Sequence, residues 1–354
     1  MPIPTEPIGS IPRPPRLLAA LQDYRTGKLA AEELAQIQTE ALRDTIRRFE
    51  ATGSPVISDG EQLKSSFATY PLDGLDNIAP DGVEIVFADG HSRRLPRLTR
   101  GPFRYGVRAE RYLRTAQRFA RVPVKQAVIA ASALSLIYPS EGVPGYPRET
   151  FLDDLVREAV ADIRGCLRAG AYRVQIDFTE GRLAVKLDPS GRLLRQFVDL
   201  NNRVLAQFSA AERRRIGVHT CPGGDRDSTH SADVDYVDLL PELFRLQADN
   251  FYFQMTSEAR PEKALAVIAR HLQPGQRAFI GVIDVLDPRV ESPEIVRERT
   301  LQVARFIPPP QLGTTDDCGF SPFEDDTSTG RDTAFAKIRS RVLGTRLASE
   351  VLSQ

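Results

Sequence analysis

Short apolar, β-branched runs alternate with longer amphipathic stretches along almost the whole chain, and this alternation restricts the fold more than any other feature. The strand-like runs are Pro55 to Ser58, Val124 to Ala130, Tyr172 to Phe178, Ile216 to Thr220, Asn250 to Met255, Ala278 to Ile283 and Gln311 to Asp316. A further run near Ile3 to Ser10 brings the count to eight. Helix-like segments separate them: Ala30 to Glu50, Arg148 to Leu167, Leu193 to Phe208, Tyr236 to Leu246, Pro261 to His271, Pro293 to Phe306 and Asp332 to Leu352. In the first of these, Leu34, Ile37, Ala41, Ile46 and Phe49 fall roughly on one face. Strands joined by helix-length connections imply βαβ units and a parallel sheet. Eight such units in sequence favour closure, so the expected fold class is α/β, a (β/α)8 TIM barrel formed as a single domain by residues 1–354.

One region breaks the rhythm. Val83 to Tyr105 alternates apolar and polar residues around an Ala-Asp-Gly turn, the pattern of an antiparallel hairpin (residues 83–105) inserted after the second strand. It is read as a surface excursion, a homodimer contact or a flap over the barrel mouth. The 47 basic and 47 acidic residues cancel, which argues against nucleic acid as a partner. No apolar run approaches the roughly 20 residues that cross a bilayer, and the first residues lack the apolar core of a signal peptide. The expected location is the cytoplasm, with no membrane partner. Three cysteines are too few for a disulfide framework and suit a reducing compartment, where thiols serve as metal ligands or nucleophiles.

Barrel chemistry sits where strands end and the following loops begin. His219-Thr220-Cys221 closes the Ile216 to Thr220 run. Residues i and i+2 of a strand face the same way, so His219 and Cys221 can both point into the mouth. Cys318 follows the last strand. One imidazole and two thiolates suit Zn2+ in a catalytic site that keeps a position open for substrate, and a thiol bound there would be held as thiolate. A buried cysteine also packs as a small hydrophobe, which is the expectation for Cys166 in its helix. His91, His230 and His271 are expected to be solvated, His230 being the one nearest the mouth. Asp284 is read as a cap on its loop. Gly223-Gly224-Asp225-Arg226 either offers N–H groups and Arg226 to an anion or is a turn, the second being favoured.

At these residues the chain resembles the cobalamin-independent methionine synthase family. Pro7-Ile8-Gly9-Ser10-Ile11-Pro12-Arg13, Ser58-Asp59-Gly60-Glu61, Gln175-Ile176-Asp177, His219-Thr220-Cys221, Gly281-Val282-Ile283-Asp284 with Ser292, and Asp317-Cys318-Gly319 are similar to six of its landmarks, in order and over nearly the whole chain. The resemblance implies a C-terminal catalytic barrel with Zn2+ as cofactor, His219, Cys221 and Cys318 as metal ligands, Ser10 and Glu61 as substrate-binding residues, and Asp177 as the acid that fixes the substrate amino group. Asp177 and Glu61 are accordingly the catalytic candidates.

Three departures matter. Gln254 stands where the family has a Glu ligand; its carbonyl oxygen can ligate without charge, and Glu258 lies four residues on. Leu286 replaces a His that in the family assists methyl transfer from folate, and Phe178-Thr179 replaces Glu-Pro after Asp177. The thiol-and-zinc half of the chemistry survives these changes better than the folate half. The function implied is a zinc-dependent thiol alkyltransferase acting on a small-molecule thiol, homocysteine or a similar one, and an alkyl donor, folate or another. The alternatives are epoxide or other alkyl transfer as in the coenzyme M transferases, and a metal-free barrel of the uroporphyrinogen decarboxylase type or an inactive binding barrel.

Overall fold

The computed structural model describes residues 2–223 and 229–354. Six strands form one wholly parallel sheet in which chain neighbours are spatial neighbours. They are β1 (Gln126–Ile129), β2 (Val174–Asp177), β3 (Ile216–Thr220), β4 (Asn250–Phe253), β5 (Arg277–Ile283) and β6 (Leu312–Asp316). Apart from Arg277, every residue of these strands is buried, as a sheet covered on both faces requires. Helices such as Ala31–Ala51, Arg148–Arg168, Arg192–Leu205 and Arg331–Leu352 cover the outside.

Two extended segments complete the ring. Thr5 bridges Thr314 on β6, and Ile57 bridges Val124 just ahead of β1. The two segments meet through Ser58 Oγ donating to Gly9 O at 2.6 Å and Ile11 N donating to Gly60 O at 3.0 Å. The eight expected runs therefore all lie in the barrel wall, but the first two are single bridges rather than ladders. Pro2, Pro4, Pro7 and Pro55 supply no N–H, so these segments cannot sustain a ladder.

The helix expectations hold to within a few residues at their ends, but the described residues form five further helices: Pro15–Arg25, Glu110–Gln117, Ala131–Ser135, Glu180–Leu187 and Ala210–Arg213. The insertion is antiparallel as expected and is nested. Glu84–Val86 pairs with Ser92–Arg94, and Ile78–Ala79 pairs with Arg97–Leu98 outside it. No helix among the described residues is long and apolar enough to cross a membrane.

Candidate active site

The strand ends deliver the polar residues. Asp177 ends β2 and is the register partner of His219 on β3. Cys221 follows β3, Gln254 follows β4, and Asp317-Cys318 follows β6. Three of these side chains converge. Cys221 Sγ lies 3.1 Å from Cys318 Sγ, and Cys318 Sγ lies 3.5 Å from His219 Nε2. The three candidate ligand atoms all fall within 4.8 Å of one another, and all three residues are buried. The sulfurs are free thiols, well beyond the roughly 2.05 Å of a disulfide.

The contact with Cys318 holds the Cys221 thiol well below its ordinary range, against burial and with help from His219. The same contact, reinforced by burial, pushes Cys318 well up. Burial pulls His219 down, but neighbouring Cys221 outweighs it and the imidazole ends above its ordinary value. His219 Nδ1 is buried without a hydrogen-bond partner. One imidazole and two closely spaced thiols, one of them easily ionised, form a donor set that suits a metal ion.

Gln254 is buried just past the end of β4, and its amide nitrogen donates to Ser257 Oγ. Glu258 is engaged elsewhere, in a buried ion pair with Arg182 at 2.5 Å, so it does not take the place of the missing Glu. Asp317 is part of the Asp-Cys-Gly landmark, in which the sequence assigns no role to the acid. It accepts from the N–H groups of Met255, Thr256 and Ser257 at 3.0–3.2 Å and from both hydroxyls, clamping the loop that begins at Gln254. Gly281 allows this, because a Cβ there would overlap the Asp317 carboxylate. Asp284 Oδ1 accepts from Leu286 N at 2.8 Å, the capping role expected of it.

The metal group opens onto a cavity of about 430 Å³ that is also lined by Ser10, Glu61 and Asp177. Gln175 bridges Lys125 Nζ, at 2.7 Å, to Asp177 Oδ1, also at 2.7 Å, and so fixes the carboxylate. Burial pushes Asp177 up to about 6, opposed by His219. Glu61 has φ +57°, a conformation uncommon for a non-glycine residue. That turn directs its carboxylate onto Lys64 Nζ at 2.8 Å, both side chains being buried. Ser10 Oγ accepts from Ser321 N at 3.1 Å.

The insertion covers the mouth. Ile85, Phe87 and Arg93 line the cavity. Phe87 is buried, with its ring 6.4 Å from Phe323, and Ala88 N donates to Thr229 O at 2.7 Å. Arg93 stacks on Phe323 at 4.0 Å and pairs with Asp325 at 3.1 Å. His230 also faces the cavity and is half-buried rather than solvated; burial pulls it down to about 4. His91 stacks on Phe87 and His271 on Phe244, while Cys166 packs in its helix. Gly224, Asp225 and Arg226 lie outside the described residues.

A family model described as "Cobalamin-independent synthase, Catalytic domain" matches residues 3–331. A methionine synthase of Pyrococcus furiosus is 24% identical over 323 residues, covering 90% of this chain and 86% of that protein. A 5-methyltetrahydropteroyltriglutamate–homocysteine methyltransferase of Nitratidesulfovibrio vulgaris is 25% identical over 90% of this chain, which spans only 39% of that longer protein. The solved structure of a B12-independent methionine synthase from Shewanella sp. W3-18-1, in complex with selenomethionine, superposes over 100% of both chains with a TM-score of 0.77 at 18% identity. That similarity extends to the fold.

Proposed function

Because the chain belongs to the cobalamin-independent synthase catalytic-domain family, we propose that it is a zinc-dependent thiol alkyltransferase, moving a methyl or other alkyl group onto the sulfur of homocysteine or a similar thiol. The observation that carries this reading is the convergence of His219, Cys221 and Cys318 at the floor of a cavity. Zinc held by these three residues, with the carbonyl of Gln254 a candidate fourth ligand, would keep a substrate thiol ionised at neutral pH.

The chain's own groups position the thiol substrate. Asp177, oriented by Gln175, receives its ammonium group. Glu61 is already neutralised by Lys64, so it shapes the pocket and adds a weaker attraction. Ser10 accepts from Ser321, which leaves its O–H to donate to the substrate carboxylate. The insertion acts as a flap that excludes water from the nucleophile, in preference to a homodimer contact. Both substrates are small molecules, met in the cytoplasm. The methyl donor is a folate or another carrier. A second reading, epoxide opening by the thiol, is favoured by Leu286, an aliphatic residue where the resemblance expects an assisting His.

The test is thiol consumption by purified protein with homocysteine and a methyl-folate, and separately with a small epoxide. Asp177→Asn is expected to raise the KM for homocysteine at least ~10-fold and to change it far less for 2-mercaptoethanol, which has no amino group. Equal effects on both thiols would remove Asp177 from substrate recognition. Absence of thiol consumption with every donor would remove the reading.

A further inference from the structure

Glu180 lines the same cavity as Cys221 and Cys318, three residues beyond the end of β2 and at the first position of helix Glu180–Leu187. It is only 5% exposed. Oε1 accepts the Ser132 hydroxyl, and that oxygen in turn accepts Asn201 Nδ2 at 2.7 Å. Asn201 Oδ1 also takes Ser132 N at 3.2 Å, so the carboxyl is held in one orientation. Oε2 has no hydrogen-bond partner. No cation pairs with Glu180 among the described residues; Arg182, two positions on, is tied to Glu258 and to Val234 O. A purely structural buried carboxylate would be paired or satisfied on both oxygens.

Resting on the thiol-alkylation reading, we propose that Glu180 is the proton donor to the leaving atom of the alkyl donor, and that this donor is one whose leaving atom departs as a strong base, such as the oxygen of an epoxide. Three other titratable groups of the cavity are unsuited to the role. Glu61 is salt-bridged to Lys64, Asp177 is tied to Gln175, and His230 is held neutral. Much of the remaining lining is apolar, including Ile85, Phe87, Ile129, Leu136 and Leu183. Such a lining suits a small apolar alkyl group and keeps water from competing for the proton.

Electrons and protons balance in a single displacement. The ionised substrate sulfur, its own proton already lost to solvent, forms the S–C bond. The C–O bond of the epoxide breaks and its electron pair passes to oxygen. That oxygen takes the proton from Glu180 Oε2, and the carboxylate is reprotonated by solvent as the hydroxyalkyl thioether leaves.

Burial, with Asp177 adding in the same direction, pushes Glu180 up to about 8, so the acid is protonated at neutral pH. The titratable group of the barrel wall that acts on it is Asp177 on β2. The elements packed around its helix present neutral Ser132 and Asn201, and Tyr236, whose hydroxyl donates to Thr220 O at 3.0 Å. Arg182 and Glu258 neutralise each other.

The experiment compares two probe donors with homocysteine: 1,2-epoxypropane, whose oxygen needs a proton, and methyl iodide, whose leaving iodide does not. Rates are taken above the enzyme-free reaction. Glu180→Gln is expected to lower kcat/KM at least ~100-fold with epoxypropane and less than ~3-fold with methyl iodide, with unchanged zinc content. Wild-type activity with epoxypropane is expected to fall as pH rises through about 8, with no matching limb for methyl iodide; this comparison stands even where the variant does not fold. Equal losses with both donors, no loss with either, or the same alkaline limb for both would overturn the role of Glu180. Wild-type turnover of methyl iodide but not epoxypropane would overturn it too, leaving the thiol-alkylation reading intact. No enzyme-dependent alkylation by either donor would overturn both.

Discussion

Glu61 and Glu180 show how one residue type is put to two uses by its surroundings. Glu61 is buried against Lys64, whose ammonium is held well above its ordinary range by Glu61 and Asp59 despite burial. Glu61→Gln would strand that ammonium, and the expected loss of stability in urea unfolding is about 3–5 kcal/mol. Glu61→Gln combined with Lys64→Met should recover most of it; a double variant no more stable than the single one would contradict the pairing. Glu180 is buried without a cation, and its folded value is raised to about 8. The folded state therefore binds one more proton than the unfolded chain between the ordinary Glu value and about 8. The stability Glu180 contributes is complete below the unfolded value and is lost as pH rises towards the folded one. Glu180→Gln removes that slope, so its melting temperature relative to wild type is expected to climb from pH 5 to pH 8. A constant difference would contradict burial of an uncompensated carboxyl.

At the scale of elements, the site is assembled by strand ends and by the loops they position. Period-2 alternation made the His219/Cys221 pair legible, because a strand must turn both residues to one face. Cys318 was legible as a residue after the last strand. Its closeness to Cys221 depends on the ring bringing the ends of β3 and β6, with two strands between them, to one mouth, which no local pattern encodes. Asp317, the clamp on residues 255–257, was missed because its partners lie about 60 positions away and are mostly backbone N–H groups. Its counterpart was visible as Gly281, whose reason is steric. Gly281→Ala is expected to displace the Asp317 carboxylate and free the loop carrying Gln254. Faster amide exchange at Met255–Ser257 would check this, and unchanged protection would contradict it. Glu180 was missed because its helix has only eight residues and follows its strand with no break in polarity. The cavity-facing side of the insertion was only one of three readings. Phe87→Ala, which removes the contact with Phe323 and opens the mouth, is expected to raise KM for the alkyl donor several-fold with a smaller change for the thiol.

The whole molecule is a ring closed by prolines as much as by ladders. The two proline-rich segments that carry Ser10 and Glu61 join the wall at one bridge each, and the turns they lead into line the cavity. Beneath the site the ring is filled by linked charges, including Glu6 with Arg173 and Asp316 with Arg341. The metal group ties β3 to the segment after β6, elements 97 and 99 residues apart at the Cys221–Cys318 and His219–Cys318 contacts. An ion bound there is linked to the folding equilibrium of the whole chain. Chelation is accordingly expected to lower the wild-type melting temperature and to leave Cys318→Ser nearly unchanged. The most direct measurement is elemental analysis of wild type beside Cys318→Ser, both purified without chelator. About one zinc per wild-type chain, and close to none in the variant, is the expected result; a metal-free wild type, or equal zinc in both proteins, would contradict the account.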